Sequence, residues 1–210
     1  MIVPTKESLR IVKNISENME GNTFHHHFHI LYDLRSLIEK DYVKYLEIGT
    51  HSGASACLML SHPMRTDVFG VDLPQNPMHQ AVLNNTAKFK MPNNSFEYLI
   101  GDSRDHNFVS KIFSEVGKVD ILFIDGDHRR EAVIDDFLNY KDIVNPGGFI
   151  IFDDYNDYEY NPIVKHGVDY VVKELLFDEY EVIGFCYNKI GAHPIEMIYN
   201  NEFILRKKYK

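Results

Sequence analysis

Between residues 43 and 152 short apolar runs alternate with helical patterns, and few architectures accept that order. Val43 to Ile48, Asp67 to Val71, Phe96 to Ile100, Val119 to Ile124 and Phe149 to Phe152 read as strands. Ala54 to Leu60, Gln80 to Lys90, Asn107 to Glu115 and Glu131 to Ile143 read as the helices between them, the last with Val133, Phe137 and Tyr140 on one face. Strict alternation implies parallel βαβ units with right-handed crossovers. Strands this apolar imply a sheet covered on both faces. Further on, a helix from Pro162 to Leu176 precedes two strand candidates, Tyr180 to Tyr187 and Phe203 to Arg206, which read as an antiparallel hairpin closing the sheet. A linker with Gly191 and Pro194 separates them. Ahead of the alternation, Glu7 to Glu20 forms an amphipathic pattern that Gly21 and Asn22 break. The run Phe24-His25-His26-His27-Phe28-His29 then leads into a helix through Glu39, with Ile30, Leu31, Leu34, Leu37 and Ile38 at helical spacing. His25 and His29 stand four apart, a ligand spacing that also arises by chance, so a polar lid or surface helix is the expectation. The chain reads as one α/β domain over residues 1–210, its first 40 residues a helical cap; 210 residues suffice for one well-buried core.

The formal net charge of -9 argues against nonspecific binding to a nucleic acid backbone or an anionic membrane. It suits a cation, although a solvated acidic surface is the commoner cause. Cys57 and Cys186 form no disulfide framework and read as small buried hydrophobes. Charges run throughout Met1 to Glu20, and no window approaches 18 uninterrupted apolar residues. A cytoplasmic enzyme acting on a small molecule, with a homo-oligomer left open, is the expectation. The tail Arg206 to Lys210 reads as a solvated charge run.

Where the first strand turns into a helix stands Leu46-Glu47-Ile48-Gly49-Thr50-His51-Ser52-Gly53. Gly49 and Gly53 let the backbone approach a ligand at the carboxyl end of the strand. The second strand ends in Asp72, placed to accept hydrogen bonds from two ribose hydroxyls. The third is followed by Gly101-Asp102-Ser103, placed to meet an adenine amino group. Each signal alone is soft; the order and spacing reinforce them. A nicotinamide enzyme would favour GxGxxG here, because a pyrophosphate rests on the helix N-terminus. S-adenosylmethionine has no phosphate. Its ammonium wants a carboxylate such as Glu47, and its carboxylate wants the backbone N–H groups of the turn carrying Gly49, Thr50, Ser52 and Gly53.

Two other strand ends carry carboxylates directly after apolar runs: Phe123-Ile124-Asp125-Gly126-Asp127-His128 and Phe149-Ile150-Ile151-Phe152-Asp153-Asp154-Tyr155. If those strands are neighbours, Asp125, Asp153 and Asp154 converge. Clustered carboxylates repel unless a cation joins them. Hard oxygen donors suit Mg²⁺, Mn²⁺ or Ca²⁺ rather than zinc. Ordinary loop starts, where Asp is common, are the plain alternative. Tyr155, Tyr158 and Tyr160 with His166 could line a sugar or aromatic pocket or form a polar loop.

Over residues 43–155 these motifs, with Asn145-Pro146-Gly147-Gly148 before the second aspartate pair, resemble class I methyltransferases of Rossmann-like fold. More narrowly they resemble the metal-dependent O-methyltransferases of the macrocin type, which act on sugars, and cephalosporin hydroxylase-like proteins share much of the pattern. The resemblance implies S-adenosylmethionine as donor and Mg²⁺ or Mn²⁺ on Asp125, Asp153 and Asp154, with Asp125 also bordering the donor. It implies Asp127 as general base and His128 as a nearby contact, though some relatives use a histidine as base. The acceptor expected is a hydroxyl of a sugar, nucleotide sugar or glycoside. A hydroxylase-like or catechol-type enzyme on the same scaffold, and a binding protein without turnover, are the alternatives.

Overall fold

Side chains on a strand alternate between faces, and here each parity feeds a different core. In the computed structural model, which describes residues 4–21, 26–155, 163–175, 178–186 and 202–209, all seven expected strands form. They are β1 (Tyr42–Ile48), β2 (Arg65–Asp72), β3 (Ser95–Ile100), β4 (Val119–Ile124), β5 (Val144–Phe152), β6 (Tyr180–Cys186) and β7 (Glu202–Lys207). Their order in the sheet is β3-β2-β1-β4-β5-β7-β6. The first five are parallel, and β7 runs antiparallel to both β5 and β6. The mostly parallel α/β sheet and the antiparallel pair at its end match the sequence reading.

Val43, Tyr45, Ile121, Phe123, Ile151 and Ile204 face one way. They pack under α1 (Lys6–Asn18), α2 (His29–Leu37) and α3 (Ala54–Leu60). Leu46, Ile48, Leu122, Ile124, Ile150 and Phe152 face the other way. There Ile112 of α5 (His106–Glu115), Phe137 of α6 (Arg130–Tyr140) and Val168 of α7 (Ile163–Tyr170) cover them. The remaining helix, α4 (His79–Phe89), packs beside α3.

The cap differs from the surface helix expected. His29 through Arg35 of α2 are all buried, and of the periodic apolar residues only Leu37 is strongly exposed. Asp33 holds this layer together. Its carboxylate accepts from Thr5 Oγ1 and Ser8 Oγ, both at 2.9 Å, which are the two side chains that cap α1, and it meets His29 Nδ1 at 3.2 Å. His25 lies outside the described residues, as do Tyr158, Tyr160, Gly191 and Pro194. The tail is also reassigned: Arg206 and Lys207 belong to β7, with the Arg206 guanidinium over the Phe149 ring. No described helix is long and apolar enough to cross a membrane.

Candidate active site

In a parallel sheet every strand delivers its carboxyl end to the same edge, and strand order reverses between β1 and β4, where a crevice opens. The ladder continues past the strands and sets the loops level. Gly49 N donates to Val71 O, Gly101 N to Asp72 O, Asp125 N to Ile48 O and Asp153 N to Ile124 O, all at 2.9–3.0 Å. A cavity of about 600 Å³ lies along this edge. Gly49, Thr50, Ser52, Asp72, Gly101, Asp102, Ser103, Asp125, Asp127, His128 and Asp154 all line it. Sequence positions more than a hundred residues apart thus share one wall.

Gly49 shows why the turn needs glycine. Its φ is +94°, and a Cβ there would lie 1.9 Å from the Asp125 carbonyl oxygen. The β1 and β4 loops touch through that missing atom. Gly53 has a φ of +84° and starts α3, but it does not line the cavity. Nor does Glu47, which sits fully buried below the turn. Its Oε2 accepts from Tyr45 Oη at 2.9 Å and Ser55 Oγ at 2.6 Å, while Oε1 has no hydrogen-bond partner among the described residues. Burial pushes its carboxyl up to about 7. Asp72 is engaged by the loop itself, accepting from His51 N, Leu73 N and Asn76 Nδ2 at 2.6–2.7 Å. A carboxylate has about four acceptor positions, so room for ribose hydroxyls remains.

The two adjacent aspartates after β5 part company. Asp154 has a φ of +53°, a left-handed conformation that costs a non-glycine residue of order 1 kcal/mol. That bend turns its carboxylate toward His128 Nε2 at 3.2 Å, with Asp125 Oδ1 at 3.8 Å from the same nitrogen. Ligand atoms of Asp125, His128 and Asp154 all lie within 4.8 Å of one another. Asp153 instead meets His27 Nε2 at 3.0 Å, and with Glu202 these form a second, fully buried cluster. The three expected carboxylates are therefore close but not arranged as one open set. Asp125 nevertheless responds to both neighbours: burial, then the charges of Asp153 and Asp154, push its carboxyl well above the usual range. Burial pulls the His27 imidazole down, but Asp153 and Glu202 outweigh it and its pKa rises to about 10.

Asp127 faces differently from its expected role as a base. The Arg129 guanidinium grips its carboxylate and holds it below the usual range, and Arg104 stands 3.9 Å away. Sequence reading also passed over His27, Glu202 and Asp136. The histidine run was a visible signal for the first. The other two sit in apolar patterns that gave none.

Residues 46–155 match the methyltransferase-domain family. The chain belongs to that family. It is 39% identical to an uncharacterized protein, R132, of Acanthamoeba polyphaga mimivirus, over 92% of each chain. Among solved structures the methyltransferase resembles an O-methyltransferase from Bacillus cereus in complex with SAH, with a TM-score of 0.66 and 17% identity over 99% of this chain and 94% of that one. It also resembles an rRNA methylase from Streptococcus thermophilus, with a TM-score of 0.63 and 10% identity over 87% and 97% of the two chains. A third likeness is to MycE of the mycinamycin biosynthetic pathway, in complex with Mg, SAH and mycinamycin VI, with a TM-score of 0.58 and 17% identity over 94% of this chain and 54% of that one. At such identities these likenesses establish the shared class I methyltransferase fold.

Proposed function

We propose that this methyltransferase moves the methyl group of S-adenosylmethionine to a hydroxyl oxygen of a small molecule, of the sugar or glycoside class, with a divalent cation at the acceptor side. One observation carries the reading. The Gly49 turn and Asp125 are in contact, so the donor cleft and the carboxylate cluster share a wall.

The residues fit a cation. Asp125 and Asp154 offer oxygen donors within reach of one another, and Asp153 adds a third negative charge that raises Asp125. Such crowding is relieved when a hard cation such as Mg²⁺ or Mn²⁺ binds. When bound, the ion would lower the pKa of a hydroxyl placed on it. The chain's own residues do the rest. His128 Nε2, oriented by Asp154, accepts the hydroxyl proton. Asp127, neutralised by Arg129, borders the cavity as an ion pair rather than as a base. The cavity wall from Gly49 to Ser103 holds the donor so that methyl and oxygen meet in line, which is where orientation contributes most of the rate. A net charge of -9 favours a small acceptor over the RNA of the fold neighbour.

The test is calorimetry of the full chain with S-adenosylhomocysteine, with and without Mg²⁺ or Mn²⁺. It is followed by transfer of labelled methyl to a panel of nucleotide sugars, glycosides and catechols. Micromolar binding and an O-methylated sugar whose formation stops with EDTA are expected. No binding of S-adenosylhomocysteine would sink the donor assignment. Turnover indifferent to EDTA would sink the cation.

A further inference from the structure

The proposed transfer leaves one buried carboxyl of the cavity wall without work. Asp136 stands on α6 among residues that face the core, with Val133 one turn before it and Phe137 and Tyr140 after it. Only 2% of it is exposed, yet it lines the cavity. A side-chain hydrogen bond from Ser103 reaches the carboxyl, but its Oδ1 has no hydrogen-bond partner among the described residues. A buried acceptor left unsatisfied is destabilising, so the free oxygen calls for a donor supplied by whatever fills the cavity. Its setting narrows the choice. A Cβ on Gly126 would lie 3.4 Å from Asp136 Oδ2, so the β4 loop passes close to one side of the carboxyl, and Ser103 of the β3 loop stands on the other.

This inference rests on S-adenosylmethionine being the donor. That molecule carries three kinds of hydrogen-bond donor: the ammonium, the ribose hydroxyls and the exocyclic amine of adenine. The ammonium end belongs with the methyl beside Asp125 and Asp154. Asp72, at the end of β2, stands where ribose is expected. The loops after β3 and β4 that flank Asp136 leave the base as the remaining group. We infer that Asp136, held by Ser103, accepts a hydrogen bond from the 6-amino group of adenine and so reads the base of the donor. A 6-oxo purine would present an acceptor there instead, and two acceptors facing each other in a buried place repel.

The experiment is calorimetry of the full chain with S-adenosylhomocysteine and with S-inosylhomocysteine. The wild-type chain is expected to prefer the adenosyl compound by roughly tenfold or more. Asp136→Asn, nearly isosteric and able to offer an N–H to a 6-oxo group, is expected to weaken adenosyl binding about tenfold and to narrow or reverse the preference. Thermal melts accompany both proteins. Equal affinity of the wild-type chain for the two compounds overturns the inference without any variant. So does an Asp136→Asn protein that melts lower but keeps the full preference, since that marks a purely structural carboxyl. A wild-type chain that binds neither compound overturns the donor assignment itself and this inference with it. Binding of the adenosyl compound without discrimination overturns only the role of Asp136.

Discussion

Asp127 and His128 are neighbours in the chain with opposite prospects as proton acceptors. A carboxylate clasped by Arg129 and held below its usual range is a weaker base than a free one, whereas His128 Nε2 stands between Asp125 and Asp154. His128→Ala should lower kcat by about 10²–10⁴ with S-adenosylhomocysteine affinity unchanged, and Asp127→Asn should cost less than about tenfold. Steady-state kinetics with the acceptor found in the product panel check both, and the reverse ranking would restore Asp127 as the base. Gly49→Ala forces a methyl into the Asp125 carbonyl at a φ alanine avoids, and should destabilise the fold by about 3 kcal/mol or more in urea melts. Much of this neighbourhood was legible from the chain alone, because an apolar run followed by Asp marks a strand end whatever the helices do. The direction of a side chain was not. Asp153 and Asp154 are the same residue type in tandem, and only the left-handed backbone at Asp154 decides that one faces His128 and the other His27.

The helical cap shows the same limit for whole elements. Periodicity located α1 and α2 to within a few residues, yet α2 carries His29, Asp33 and Arg35 and so reads as amphipathic and exposed. In place, each of those polar groups is buried and partnered. Arg35 donates to Thr66 Oγ1 and to the carbonyls of Ile38, Lys40 and Arg65. Such partners come from distant segments, and no local pattern announces them. The cap is therefore core rather than covering. Ile15 of α1 is fully buried against the same layer as Val43 and Phe123, so Ile15→Ala should cost about 2–4 kcal/mol by equilibrium denaturation. A change under about 1 kcal/mol would mean that α1 is a loosely held flap. The cap also reaches the donor turn, since Asn85 of α4 donates to both Glu20 O and Ser52 O.

Taken together, the buried acids predict how the unliganded protein responds to pH. Burial raises Glu47 from 4.5 to about 7 and Asp136 from 3.8 to about 7. Between those limits the folded chain keeps protons that the unfolded chain has released. The stabilisation is whole below pH 4 and is lost as pH rises through about 7, of order 3 kcal/mol for each group. His27, raised from 6.5 to about 10, adds a loss of the same sign above pH 6.5. The melting temperature of the apoprotein should fall by several degrees between pH 5.5 and pH 8, and Glu47→Gln should make that fall shallower. Melting that rises with pH over this range would show that these carboxyls are ionised in the fold. The parallel core of the sheet was readable because its elements alternate, but the position of β7 was not, since antiparallel pairing has no sequence order to follow. That position bears on synthesis. The strand β7 lies between β5 and β6, so a growing chain that has just released β6 has no edge on which to lay it. Until Glu202 to Lys207 emerge and slot beside β5, the ribosome holds a sheet with a bare flank and an unmatched ribbon. This is a stretch in which a chaperone, or another nascent copy, could take the missing place.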